Sequence, residues 1–255
     1  MKHIRFIPFG NVTIGPIARY YIDAAIAGHW VSQRENVAEF ERLCCEIFQK
    51  KHAIATSSGT DAGIVAMAAA RELCGDDFGD GTEVITPACA YVATATCILA
   101  AGLKPRFIDV ELDTLNMNFA AADDCKTSMP VAAWQFVHTM GKPCFGFREP
   151  SNNYSVTIGD SCEAHLASLD GKEVQHGPDM TILSFYVAHI AVAGEGGVVL
   201  TDSDKLANIC RSVRVHGRKG GAEFFDFERI GWNSKMNDLC AAVGIEGLQN
   251  LRANF

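Results

Sequence analysis

The chain lacks any run approaching ~18 uninterrupted apolar residues, the length a helix needs to cross a bilayer. Its opening, Met1-Lys2-His3-Ile4-Arg5-Phe6, lacks the apolar core and small-residue cleavage site of a secretory leader. A soluble, cytoplasmic protein with no membrane partner is expected. Positive charge is also in short supply. With 22 Lys and Arg against 30 Asp and Glu, the formal net charge is -8, the wrong sign for neutralising a phosphate backbone, so no nucleic-acid partner is expected. Ten cysteines are present, but no C-x-x-C pair occurs and only Cys44 and Cys45 are adjacent. That scatter argues for buried thiols, against a disulfide scaffold, and for no metal site. Internal repeats and low-complexity linkers are absent, so nothing divides the 255 residues into independent halves.

What remains is an ordinary globular composition, 48% hydrophobic and 20% charged, with enough length for one large α/β domain. Pro16 opens a helical pattern that Gly28 can close, and a second amphipathic stretch runs over 37–49 with Phe40, Leu43, Cys44 and Phe48 on one face. Residues 1–50 therefore read as a helical preamble. Beyond it, short apolar runs at 52–56, 82–86, 104–109, 131–137, 155–159, 180–185 and 197–201 alternate with helical patterns at 60–73, 91–101, 203–216 and 236–251. Such alternation predicts a mostly parallel seven-stranded sheet sandwiched by helices across 51–235. The final pattern, 236–255, has no capping glycine or proline at its end.

Open parallel sheets bind ligands beyond the carboxyl ends of their strands, so polar groups at those ends are the candidate site. After the first strand comes Thr56-Ser57-Ser58-Gly59-Thr60-Asp61. Its hydroxyls and helix-start N–H groups suit a phosphate, and they equally suit an ordinary helix cap. Tyr91 opens a helix after the second strand, where it can stack on a planar ring or fill the core. Asp160, in Gly159-Asp160-Ser161-Cys162-Glu163-Ala164-His165, is placed to pair with a protonated pyridine nitrogen or to cap a helix. The stretch Ser184-Phe185-Tyr186-Val187-Ala188-His189 leads through Gly194-Glu195-Gly196-Gly197 into a returning strand.

This last arrangement resembles the DegT/DnrJ/EryC1/StrS sugar aminotransferase and dehydratase family of fold-type I pyridoxal-phosphate enzymes. The likeness extends through Ile7-Pro8-Phe9-Gly10, Phe107-Ile108-Asp109-Val110, Val137-His138-Thr139-Met140-Gly141-Lys142-Pro143, Val215-His216-Gly217-Arg218 and Ile230-Gly231-Trp232-Asn233-Ser234-Lys235-Met236. It implies that Ser58, Gly59, Thr60, Asp61 and Ser184 hold the cofactor phosphate, that Tyr91 and Glu163 flank the ring, and that Asp160 binds its nitrogen. Asn233 would reach the phosphate site of a partner subunit in a homodimer. Members continue past the point matching Phe255 into a smaller domain, so the resemblance implies that 236–255 begins an interdomain helix.

Most members carry a lysine at the position of His189, tethering pyridoxal 5'-phosphate covalently. An imidazole forms no stable tether, which implies a non-covalent cofactor, most simply pyridoxamine 5'-phosphate. Histidine within a Ser-Phe-Tyr-x-Ala-His block, and an acidic Asp160-Ser161-Cys162-Glu163 segment, are similar to the nucleotide-sugar 3-dehydratase branch. The resemblance thus implies removal of the 3-hydroxyl from a nucleotide-linked 4-keto-6-deoxyhexose, with His189 as acid and base, Asp160 keeping the ring cationic, and L-glutamate as amino donor. A nucleotide-sugar aminotransferase, or a homologue that binds cofactor without catalysis, is the alternative. After Arg218 the chain lacks the cysteine cluster of iron–sulfur dehydratases, so no such centre is expected.

Overall fold

A computed structural model describes residues 9–74, 81–125, 130–144, 156–220 and 225–254. Two helices, α1 (Pro16–Ala27) and α2 (Glu35–Ile47), precede strand β1 (His52–Thr56). Then follow α3 (Gly59–Cys74), β2 (Glu83–Pro87), α4 (Val92–Ala100), β3 (Lys104–Ile108), the short α5 (Phe119–Asp123), β4 (Val131–Val137) and β5 (Val156–Asp160). A two-residue-arm hairpin, β6 (Ser168–Leu169) and β7 (Lys172–Glu173), leads to β8 (Met180–Ser184), β9 (Gly197–Thr201), α6 (Asp204–Arg214) and α7 (Asp238–Asn254). All seven expected strands of the main sheet are present within a residue or so of their expected bounds, though residue 155 lies outside the described residues. The hairpin and α5 carry patterns too short for periodicity to register.

The sheet order is β1-β9-β8-β5-β4-β2-β3. Only β9 runs antiparallel, to β8 on one side and β1 on the other, so the six remaining strands all point their carboxyl ends the same way. Because both faces are covered, the central strands are apolar at successive positions. Ile54, Ile182 and Val199 pack on the face holding α3, α4 and α6. Their neighbours Ala53, Ala55, Leu183, Val198 and Leu200 pack on the opposite face with Phe40, Ile245 and Leu248 of α2 and α7. At the far edge, β3 tolerates Pro105 because an edge strand can forgo a donor on its outer side.

The other edge is closed differently. Ala55 of β1 turns its backbone away from β9: its N–H donates to Glu41 Oε1 at 2.8 Å, and its carbonyl accepts from Arg214 Nη1 at 2.8 Å. Arg214 also pairs with Glu41 and is only 5% exposed. This ion pair blunts an edge that would otherwise recruit another strand.

α7 anchors the helical preamble through carboxylates. α1 and α2 begin at Gly15 and Arg34 with no side-chain cap of their own. Asp238, at the start of α7, accepts N–H bonds from Arg34 at 2.7 Å, Asn36 at 3.3 Å and Val37 at 3.2 Å. Further along α7, Glu246 Oε2 accepts from Gly15 at 2.8 Å and Ala18 at 3.1 Å. A Cβ on Gly15 would lie 2.0 Å from that carboxylate, which explains the glycine. Each carboxylate satisfies orphan helix donors and meets the positive end of the helix dipole.

Two buried histidines complete the core. His138 is 1% exposed, and its Nδ1 accepts the Cys144 N–H at 2.9 Å. His165 is 1% exposed, and its Nδ1 accepts the Ala191 N–H at 3.4 Å. An accepting nitrogen requires a neutral ring. Burial pushes their pKa values down to about 4 for His138 and about 3 for His165.

Asp238→Ala should cost about 2–3 kcal/mol, since it strands buried N–H groups, and lower Tm by roughly 4–10 °C; Asp238→Asn should cost less. Thermal denaturation by circular dichroism checks both, and an unchanged Tm in the alanine variant would refute the capping role. Acid titration offers a second check. An unfolded histidine protonates near 6.5 whereas the folded pair resists, so stability is intact above that pH and falls below it until about pH 4 for His138 and about pH 3 for His165. The loss approaches about 1.4 kcal/mol per pH unit for each histidine. Chemical denaturation at pH 6.5 and 5 should show that decline, and His138→Gln should make it shallower.

Candidate active site

Strand polarity brings the candidate residues to one edge. In register, Ser184 of β8 and Thr56 of β1 both lie opposite Gly197 of β9, and Asp160 of β5 lies opposite Ile182, one pleat back from Ser184. The turn after β1 and the start of α3 therefore sit against the end of β8. Packing there leaves no room for side chains. A Cβ on Gly197 would stand 2.1 Å from the Ser58 carbonyl, and one on Gly59 would stand 2.7 Å from Ser184 Cβ and 3.3 Å from Cys162 Sγ. Gly59, Ser184 and Cys162 thus converge at the amino end of α3, a 16-residue helix whose dipole favours an anion.

Within that turn Ser58 Oγ accepts the Asp61 N–H at 3.1 Å, and Ser57 Oγ donates to the Asp61 carboxylate. Cap and anion site are compatible here. A hydroxyl that accepts one bond still has its own O–H to donate. Asp61, by contrast, has its N–H committed to Ser58 and its carboxylate to Ser57, so it shapes the turn and offers a phosphate no free donor. Thr60 is exposed at the first turn of α3.

Asp160 ends β5, and its Oδ1 accepts the Cys162 N–H at 3.1 Å, a tight local turn with no helix to cap. Burial raises its pKa, while the Cys162 thiol and N–H, and His189, pull the other way. Among the described residues no lysine or arginine pairs with this carboxylate. A buried carboxylate lacking a cation is the environment in which a protonated pyridine nitrogen would restore the charged form. Tyr91 settles one of the open readings against the core: it stands at the N-cap of α4, is 77% exposed, and makes no cap bond, so its ring is free to stack. Glu163 is exposed and its Oε2 accepts the Met140 N–H at 2.9 Å, drawing the turn after β4 toward the site.

His189 sits in the loop between β8 and β9, its N–H bonded to the Tyr186 carbonyl at 2.9 Å and its ring edge-on to Tyr186 with centroids 6.0 Å apart. Burial pushes its pKa below the ordinary 6.5, while the Glu163 and Asp160 carboxylates oppose that shift. The imidazole therefore shares the field of both acidic residues and is neutral at pH 7. Its loop is gripped by close backbone approach. A Cβ on Gly10 would fall 2.6 Å from the Val187 carbonyl, and one on Gly247 of α7 would fall 2.4 Å from the Val192 carbonyl.

Three neighbours escaped sequence reasoning. Cys162 donates its thiol to Asp160, and burial and that same carboxylate hold the thiol protonated. Lys235 forms a backbone bridge with Thr56, and its ammonium donates to Asn233 Oδ1. Burial first, and Arg214 second, lower its pKa. Asn233 is exposed beside it, bridged to Val215. His165 lies under the His189 loop. Tertiary packing reveals Lys235 and His165, whereas Cys162 acts within the turn that follows Asp160.

The donors at the α3 terminus, the cation-free Asp160 and the free face of Tyr91 fit a phosphorylated pyridine cofactor. Among the described residues, no group of three or more His, Cys, Asp or Glu is placed to hold a metal, and no helix is long and apolar enough to cross a membrane.

Comparison with known proteins agrees with that fit. GDP-perosamine synthase of Vibrio cholerae is 29% identical over 251 residues, covering 96% of this chain. The chain spans 66% of the length of the curated relatives it matches. An E. coli GDP-4-keto-6-deoxy-D-mannose-3-dehydratase solved with bound hydrated PLP superposes with a TM-score of 0.83 at 23% identity, covering 98% of this chain and 69% of that one. Helicobacter pylori PseC, an aminotransferase involved in the biosynthesis of pseudoaminic acid, superposes with a TM-score of 0.82 at 21% identity, covering 98% and 67%. At such identities the likeness speaks for the fold, the mostly parallel sheet of fold-type I enzymes that use pyridoxal 5'-phosphate. A family model matches residues 15–255, the whole of this sheet and the edge that holds the site, and the chain belongs to the DegT/DnrJ/EryC1/StrS aminotransferase family.

Proposed function

We propose that this protein removes the 3-hydroxyl of a nucleotide-linked 4-keto-6-deoxyhexose as a pyridoxamine-phosphate-dependent dehydratase. The observation that carries the reading is His189: a neutral imidazole in the field of Asp160 and Glu163, at the position where the family's tethering lysine is expected. When bound, pyridoxamine phosphate supplies a primary amine for the sugar ketone and a ring that accepts electrons. The N–H groups of Gly59 and Thr60 and the hydroxyls of Ser58 and Ser184 hold its phosphate. Asp160 keeps a proton on the ring nitrogen, Tyr91 covers the ring, and Glu163 borders it.

A ring nitrogen of His189 first accepts a proton, which its depressed pKa leaves it free to do at neutral pH. As imidazolium it then donates that proton to the hydroxyl leaving sugar carbon 3. Glu163 and Asp160 stabilise the charged ring in between. Imidazole has no primary amine with which to capture an aldehyde, so the cofactor is free to cycle through L-glutamate as amino donor. A solved dehydratase of this fold carries PLP with glutamate trapped on it, which supports that donor. Asn233 is exposed, and with its Oδ1 accepting from Lys235 its amide N–H groups serve the phosphate site of a second copy in a homodimer. Aminotransfer is the second reading, favoured by the family description and by PseC.

With a nucleotide-linked 4-keto-6-deoxyhexose, pyridoxal phosphate and glutamate, mass spectrometry should show a sugar lighter by one water. His189→Asn should slow that release by about 10²–10⁴-fold. An amino-sugar product from the wild-type protein would replace this reading with aminotransfer. Borohydride reduction of protein loaded with pyridoxal phosphate should leave no cofactor on the chain, and a labelled Lys235 would point the same way as an amino sugar. The acid limb of the wild-type rate profile should have its midpoint below that of a free imidazole, as protonation removes the base.

A further inference from the structure

The loop that carries His189 leaves the sheet at Ser184 and returns at Gly197. Its ends are clamped by backbone bonds, Phe185 N–H to the Gly196 carbonyl at 2.9 Å and Ala193 N–H to the Phe185 carbonyl at 2.8 Å. Its middle has fewer holds. His189 bonds back to Tyr186, and the Asn11 N–H reaches the Val187 carbonyl at 3.2 Å from outside. From beneath, among the described residues, the side chain that bonds to the far limb of the loop is His165, whose Nδ1 takes the Ala191 N–H in a long bond of 3.4 Å.

His165 is built to stay there. Its ring is wedged between Phe48, with centroids 6.1 Å apart, and Phe185, 5.2 Å apart. Ala191 is itself 1% exposed, so without His165 its N–H would be buried with no acceptor from that side. The other ring nitrogen, Nε2, is buried without a hydrogen-bond partner, so turning the ring over would give up the Ala191 bond for no new one. Burial and the nearby His189 both disfavour a proton on His165, and the Ser184 backbone only partly offsets them. A neutral ring is what His189 requires of its neighbour, because a second cation there would weaken proton uptake by His189.

We propose that His165 is a positioning residue for His189: a permanently neutral imidazole that holds the Ala191 limb and so fixes the loop from which His189 reaches the site. The assignment rests on the reading of His189 as the proton carrier. It is separate from the cofactor contacts, since His165 touches the loop from the core side.

The test uses the full chain. In wild-type protein with isotope-labelled histidine, ring ¹⁵N shifts at neutral pH should show His165 protonated at Nε2 and accepting at Nδ1; a charged ring, or a proton on Nδ1, overturns the proposal. His165→Phe keeps a ring between Phe48 and Phe185 but has no acceptor, and His165→Gln restores a neutral acceptor. Hydrogen exchange of the Ala191 amide should accelerate by about tenfold or more in the Phe variant, with Ile182 and Leu183 of β8 unaffected, and recover in the Gln variant. The dehydration kcat should fall by about tenfold in the Phe variant with KM within about twofold, and likewise recover. Unchanged Ala191 exchange, or equal acceleration throughout β8, overturns the assignment. Should the Phe variant not fold, the wild-type tautomer and the Gln variant decide. If wild-type protein dehydrates no keto sugar, the functional reading fails on its own, while tautomer and exchange still judge the role of His165.

Discussion

The structure depends on one reversal of direction. β9 runs antiparallel between β8 and β1, and its first residue, Gly197, stands opposite both Ser184 and Thr56. That register draws the α3 amino terminus against the end of β8, with glycine at both 59 and 197 because no Cβ fits. The proposed anion site arises from this closeness. Helix dipole, unpaired N–H groups and two serine hydroxyls are concentrated in a place that only strand pairing can create. One pleat back from Ser184, Asp160 ends β5 opposite Ile182.

The same constraint governs the proposed acid–base group. His189 lies on the connection that β9 must make in order to return, a loop clamped at both ends by backbone bonds. Glycines 10 and 247 let neighbouring backbone close on that loop. Glycine inside α7 costs helix stability of about 1 kcal/mol, and close packing against Val192 is what offsets it. α7 has a second duty, since its Asp238 and Glu246 supply the caps that α1 and α2 lack. One helix therefore ties the preamble to the sheet and steadies the loop beneath which His165 lies.

Electrostatics separates the histidines into two kinds. His138 and His165 are sealed in the core, each accepting a backbone N–H, and stay neutral well into the acid range. His189 is half-buried between the same desolvation and two carboxylates, so its two protonation states are closer in energy. A group that must take and return a proton needs that balance, and a structural histidine does not.

By itself the sequence determined the alternating pattern, all seven main strands, both preamble helices and the residues that end the strands, because apolar periodicity and turn chemistry are local signals. Through the family resemblance it also marked His189 as standing where most members carry lysine. Only the tertiary structure decided which neighbours those residues meet. Tyr91 turned outward, away from the core, and Asp61 proved committed within its own turn. Cys162, Lys235 and His165 stand in segments the sequence had marked, but their own contacts emerged only with the structure. Lys235 meets Thr56 across 179 residues, and no local pattern encodes a distance of that kind.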